Sequence, residues 1–188
     1  AGVVCCALVL AACGQAGQVG DPVAAPAGSA EPTASATIPI PEPVEPTTSP
    51  LSGRKGGIET PVMVVKLDNT RYAQPHRNLR AADIVYVEPV EWGLTRLAAV
   101  YSTRLPDEVG PVRSARVSDI ELFAPYGPIA FVYSGAQTRL QPKLYAADWI
   151  AVSKDSDSAG IHRDYSRRGP YNLMAEPKAI LDAVGPVA

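Results

Sequence analysis

Among the charged residues of the span from Asp83 to Arg116, which reads from Ala82 as ADIVYVEPVEWGLTRLAAVYSTRLPDEVGPVRSAR, three arginines and three acids could share one site. The arginines are Arg96, Arg113 and Arg116; the acids are Asp83, Glu88 and Glu91. Asp68 adds a further carboxylate just upstream, at the end of an apolar run. Arg113 and Arg116 stand three apart where a helix is expected to begin, so both face one side. A helix amino end with two guanidiniums suits a phosphate or another anion. Arg96 could join them from the preceding hairpin. The same residues also fit a buried ionic lattice, because buried charges persist when paired and the counts match. A third reading is catalysis on a phosphate-bearing substrate, with Asp68, Glu88 or Glu91 as the acid. Ser114, between the arginines, is a candidate anion ligand or nucleophile. No base is placed for it, and helix capping is the better use of its hydroxyl.

Other chemistry finds less support. His76 and His162 are the only histidines, and neither has a His, Cys or acid at metal-ligand spacing, so no metal is expected. No glycine-rich phosphate loop, serine elbow or cysteine nucleophile is visible, so no cofactor is expected and catalytic residues stay unknown. The net charge of −2 gives no basis for bulk nucleic-acid binding.

The elements that would position these residues are legible from residues 61 onward. Residues 61–67 (PVMVVKL) form a nearly continuous apolar run, which suits a strand covered on both faces. Asp68-Asn69 ends it, with turn chemistry as the simpler use of the Asp. RYAQPHRN (71–78) reads as a polar loop and 79–83 as one helical turn. Residues 84–102 read as a hairpin turning at Glu91-Trp92-Gly93. Pro89 cannot donate to a ladder, which places the first arm at an edge or a bulge. The apolar stripe Val117, Ile120, Phe123 predicts a helix over 114–126 with Ser114 as its cap. A buried strand at 129–133, a helix over 137–147 and a short strand at 149–153 follow. IHRDYSRRGPY (161–171) is basic and irregular, and a last helix covers 176–183. Strands alternating with helices predict an α/β domain (α+β being possible), with a mixed β-sheet, a β-hairpin and helices packed on it.

The amino end has a different character. Val3–Ala12 is a short apolar run closed by Leu10-Ala11-Ala12-Cys13. It is too short to span a bilayer, which takes ~20 apolar residues, and it reads as a secretory signal that begins before Ala1. Its end resembles a bacterial lipobox, which implies cleavage before Cys13 and lipidation of its sulfur, palmitate included. Cys5 and Cys6 would leave with the signal, so no intramolecular disulfide is expected. Residues 14–53 are rich in Ala, Pro, Thr, Ser and Gly and read as a disordered linker. Their four charges, all acidic, leave +2 for the remainder (−2 minus −4). The domain layout is then signal with lipobox at 1–13, linker at 14–53 and a folded body at 54–188.

VMVVKLDNTRYAQPHRNLRAADIVYVEPVEWGLTRLAAVYS, VGPVRSAR, the strand ending Tyr133-Ser134-Gly135 and Gly169-Pro170-Tyr171-Asn172-Leu173 together resemble the amino-terminal domain of YerB-type bacterial lipoproteins. In that family an acidic turn with two glycines precedes Thr-Arg; here Trp92 stands at the first of those positions. The resemblance implies an exported, membrane-anchored protein whose domain has no assigned activity. It also implies a second, carboxy-terminal domain beyond this chain. Taken with the lack of a nucleophile–base pair, the expected role is binding or scaffolding at the extracytoplasmic face of the cell membrane. Its partners would be the membrane, through the lipid, with cell-wall synthesis proteins or an anionic envelope ligand; no nucleic acid is expected. An enzyme acting on phosphate-bearing envelope lipids or wall polymers is the alternative.

Overall fold

The computed structural model describes residues 47–55, 61–154 and 158–185. The signal, Cys13 and the linker as far as residue 46 lie outside the described residues. Residues 47–55 already pack on the body: Thr48 pairs with Lys55, Ser49 is buried, and the Ser52 hydroxyl lies 2.7 Å from that of Thr103. The folded body thus includes the last residues of the stretch expected as linker.

A five-stranded sheet organises the body, in the order β2-β3-β1-β4-β5. Its strands are β1 (Met63–Asp68), β2 (Ile84–Pro89), β3 (Thr95–Tyr101), β4 (Ala130–Tyr133) and β5 (Ile150–Ser153). β2, β3 and β1 pair antiparallel, while β1, β4 and β5 run parallel. The sheet is therefore mixed, as expected, and its central β1 is buried along its whole length. β2 is an edge strand, as Pro89 requires. A second, two-stranded sheet pairs β6 (Ile161–Arg163) with β7 (Leu173–Ala175). Those strands fall in the stretch expected to be irregular and in the segment just after it. Three residues each are too few to show an alternation.

The first two helices are shorter than expected, and the last has its expected length one residue later. α1 covers Ser118–Phe123, α2 Gln141–Tyr145 and α3 Pro177–Val184. The helix predicted from Ser114 begins four residues later because the preceding backbone is already bonded elsewhere. Ala115 N–H donates to Gly135 O at 3.0 Å.

Side-chain alternation along β1 divides the core. Met63, Val65 and Leu67 pack with Val109, Val112, Leu173 and Ile180, beneath α3 and the small sheet. Val64 faces the other way, with Ala98, Val100, Phe123, Phe131 and Leu144, beneath α1 and α2. Phe131 stands at the centre of this second layer, its ring 5.5 Å from Phe123 and 4.7 Å from Trp149. Each large apolar side chain buried this way contributes ~1.5–3 kcal/mol. The second layer is apolar at one end only. At its other end β1 presents Lys66 and Asp68, both fully buried.

Candidate functional site

The charged end of the sheet follows from register. Arg96 lies directly between Asp68 on one side and Glu88 on the other, so one row reads Glu88–Arg96–Asp68 across three strands. In the next row Ala98 separates Lys66 from Tyr86. Its methyl leaves room for the Lys66 side chain to cross toward Glu88. All four charged side chains are buried, at 7% exposure or less. Charges this deep are tolerated only with partners.

The partners come from the segment 109–119. Arg113 N–H donates to Lys66 O at 2.8 Å, and Asp68 N–H donates to Pro111 O at 3.1 Å. Ser134 N–H donates to Arg113 O at 3.0 Å. Residues 112–115 therefore lie alongside the carboxyl end of β1, where β4 has parted from it. Val112 N–H also reaches Leu173 O at 2.7 Å, tying the segment to β7. Gly110 is required there: a Cβ on it would collide with Met174 Sδ and sit 3.0 Å from Leu173 O.

Each arginine is engaged. Arg113 Nε donates to Asp68 Oδ2 at 2.7 Å. Asp68 Oδ1 accepts Thr70 N–H at 2.7 Å, so the residue does turn work and ion pairing together. Burial pushes its carboxyl up, but the Thr70 and Arg113 hydrogen bonds and the Arg96 charge outweigh this and hold it below the usual carboxylate range. Arg96 Nη1 lies 3.8 Å from Asp68 Oδ2 and donates to Thr95 O at 3.1 Å. Burial lowers the Arg96 guanidinium, opposed by Asp68 and reinforced by the nearby charges of Arg113 and Arg116. Arg116 Nε and Nη2 both donate to Glu91 Oε2, at 3.0 and 2.9 Å. Bonding to its own backbone amide and to Arg116 lowers the Glu91 carboxyl.

The arginines pair with acids, but the Arg116–Glu91 pair lies at the surface, and the partners differ from those of the expected buried lattice. Glu91 takes Arg116, whereas Asp68, rather than Asp83 or Glu88, takes Arg113 and Arg96. Asp83 stands apart from the cluster. Its Oδ2 accepts Ser102 and Thr103 N–H at 2.7 Å each, and Arg54 approaches its other oxygen at 3.5 Å. Glu88 pairs with Lys66, and its second oxygen accepts the Ser118 hydroxyl at 3.2 Å. Ser114 does not cap α1; its hydroxyl lies 3.3 Å from that of Ser134. Asp119, in the first turn of α1, accepts the N–H of Arg116 just ahead of the helix at 2.6 Å.

Two members of the cluster escaped the sequence reading. Lys66 Nζ bonds Glu88 Oε1 and lies 2.5 Å from Asp119 Oδ1, with Lys66 and Asp119 at zero exposure. The available signal was a lysine inside an otherwise apolar run, MVVKL. Asp119 carries no such signal, since an acid in a first helical turn is ordinary.

Beside the cluster a groove of about 400 Å³ is walled by Glu91, Arg116, Val117, Gln137, Arg139 and Lys143, among others. Trp92 projects from the hairpin tip nearby in sequence, 92% exposed, with φ 67° and ψ 25°. That left-handed backbone is one that glycine adopts most cheaply. The tip therefore keeps the geometry of a glycine turn with a tryptophan in it.

Comparison with known proteins gives a consistent picture. The model of a family described as "Protein of unknown function (DUF3048) N-terminal domain" matches residues 48–186. The chain is 32% identical over 139 residues to "Putative lipoprotein YerB" of Bacillus subtilis, covering 71% of this chain and 41% of that protein. The crystal structure of YerB protein from Bacillus subtilis superposes with a TM-score of 0.64 at 29% identity, covering 73% of this chain and 48% of that one. The chain thus spans less than half the length of the relatives it matches.

Proposed function

The chain belongs to the family of the DUF3048 N-terminal domain, and we propose that it is a binding or scaffolding domain of a lipid-anchored bacterial envelope protein. In open sheets with parallel strands, ligands usually enter the crevice outside the strands' carboxyl ends, where neighbouring strands part. Here β1 and β4 part at such a place, and residues 112–116 occupy it. Arg113 turns to the wholly buried Asp68, and Arg116 is held by Glu91 at the surface. That plugged crevice is the observation that carries the reading. A phosphoryl-transfer site would need a cationic cleft with a carboxylate free to act, and Asp68, Glu88, Glu91 and Asp119 each already hold a cation.

The anchor is proposed from Leu10-Ala11-Ala12-Cys13 and from the lipoprotein description of the relative. From Cys13 the Pro-rich linker would hold the body tens of ångströms off the membrane, at ~3.1 Å per extended residue. Cells fed a clickable fatty acid should label the wild-type protein and not Cys13→Ala. Crosslinking in those cells should recover a discrete envelope partner that is lost with the anchor. Unchanged labelling of Cys13→Ala would overturn the anchor, and no crosslinked species in any condition would overturn the binding role.

A further inference from the structure

Two basic segments with no part in the sheet's charged row meet on one side of the body. The loop RYAQPHRNLR (71–80) holds three arginines and no acid; IHRDYSRRGPY (161–171) holds three arginines and one aspartate. Six positive charges against one leave +5 in a chain whose net charge is −2. The segments are clamped together. Arg167 donates to Ala73 O at 2.7 Å and Pro75 O at 3.0 Å, and Arg77 Nη2 donates to Asp164 at 2.8 Å. The Tyr72 and Tyr171 rings lie 5.6 Å apart across the junction.

Three hollows of about 410, 450 and 380 Å³ run along this seam. The first two share Tyr72, Arg167 and Arg168; the second and third share Gln74, Pro75 and His76. The three hollows therefore adjoin one another along the seam, forming a row that we treat as one groove. Arg168 lines its aromatic end and Arg80 its far end, both exposed. Neither forms an ion pair within 4.0 Å among the described residues. Tyr72 is 58% exposed, with the Arg71 guanidinium 4.6 Å from its ring centre.

We propose that this groove binds a linear anionic glycan, a chain of sugar rings carrying phosphate or carboxylate groups. Its length over three hollows suits a repeating polymer, and its unpaired arginines suit repeated anions. The negative face of an exposed tyrosine attracts the C–H face of a sugar ring. Because the walls are already clamped, little ordering is needed on binding. The choice of a glycan over a nucleic acid rests on the extracytoplasmic placement proposed above; the groove itself does not.

The test uses the full-length protein with four probes: polygalacturonate for carboxylate, phosphorylated dextran for phosphate, neutral dextran, and single-stranded oligo-dT. At least one anionic glycan should bind, weakening as salt rises, and neutral dextran should not. Arg168→Glu should weaken binding at least about fivefold, and Tyr72→Ala at least about threefold, as loss of a charge contact and an aromatic face would. Arg139→Glu makes the same charge change in the groove beside Arg116 and should leave binding as it is. Arg168 is exposed and forms no ion pair among the described residues, so Arg168→Glu should melt at the wild-type temperature. Tyr72→Ala also gives up the Tyr171 ring contact, and its binding is compared at a temperature well below its own melt. Failure of both anionic glycans to bind would overturn the proposal. So would equal weakening by Arg139→Glu, or oligo-dT binding as tightly with the same sensitivity to Arg168→Glu. A protein that binds the glycans but keeps its fatty-acid label in Cys13→Ala would retain the groove and lose the anchor. A correctly labelled protein that binds neither would do the reverse.

Discussion

Lys66 Nζ lies 2.5 Å from Asp119 Oδ1, and both side chains are wholly buried. Glu88 bonds the same ammonium. One cation thus serves two carboxylates, leaving an excess negative charge when all three are ionised. Burial, opposed by Lys66, pushes the Asp119 carboxyl up to about 6. A proton entering there relieves the excess.

The pH dependence has a definite sign. Between the ordinary value of 3.8 and about 6 the folded chain keeps a proton on Asp119 that the unfolded chain has released. The stability from this group is complete below 3.8 and is lost as pH rises through 6. Asp68, held below its usual range, acts oppositely: its contribution is present above 3.8 and disappears as pH falls through its lower folded value. Urea unfolding of wild type and Asp119→Asn at pH 4, 5, 6 and 7 isolates the first effect. The stability difference between them should shift by roughly 2–3 kcal/mol across the series, against the wild type at higher pH. A difference that stays flat with pH would contradict the shift.

Removing the cation should cost more than removing an acid. Lys66→Met leaves Glu88 and Asp119 facing one another without compensation, an expected loss of ~3–5 kcal/mol. Adding Glu88→Gln and Asp119→Asn to that variant should recover at least ~1 kcal/mol, because no buried charge is then stranded. Equilibrium unfolding of the single and triple variants checks this. If the triple variant is no more stable than the single one, the loss has another origin.

The hairpin tip gives a local test. Trp92 holds φ at 67° with its side chain in solvent. A left-handed backbone costs an ordinary residue ~1–2 kcal/mol, and glycine avoids that at a somewhat smaller cost in chain entropy. Trp92→Gly should therefore be neutral to stabilising, by up to ~1 kcal/mol in thermal melts. A loss larger than that would mean the indole holds a contact on the body.

Much of the fold was legible because β1, β3 and β4 are nearly continuous apolar runs closed by polar or turn residues. The hairpin and its edge arm followed from alternation and Pro89, and the turn from Glu91-Trp92-Gly93. The small sheet was not legible, since β6 and β7 are each three residues long and are held by Val109 and Val112 from a distant segment. The helix start at Ser114 was misplaced for the same kind of reason. Tertiary hydrogen bonds to Gly135 and Lys66 claim the backbone that local propensity would have made helical. In the cluster, residue types pointed to Asp68, Glu88, Glu91 and the three arginines. The pairing depends on register, which puts Arg96 opposite Asp68 and lets Lys66 reach over Ala98. No spacing along the chain encodes that.

On the proposed reading, the arginines of residues 112–116 hold the fold together rather than a free anion. Thermal melting of wild type and Arg113→Ala, each with and without inorganic phosphate, tests it most directly. Arg113→Ala leaves the wholly buried Asp68 carboxylate with only Thr70 N–H and the longer 3.8 Å contact to Arg96, so stability should fall by ~3 kcal/mol. Any stabilisation by phosphate should be the same in both proteins. Unchanged or increased stability in Arg113→Ala, with a phosphate-dependent rise seen in wild type alone, would contradict the account.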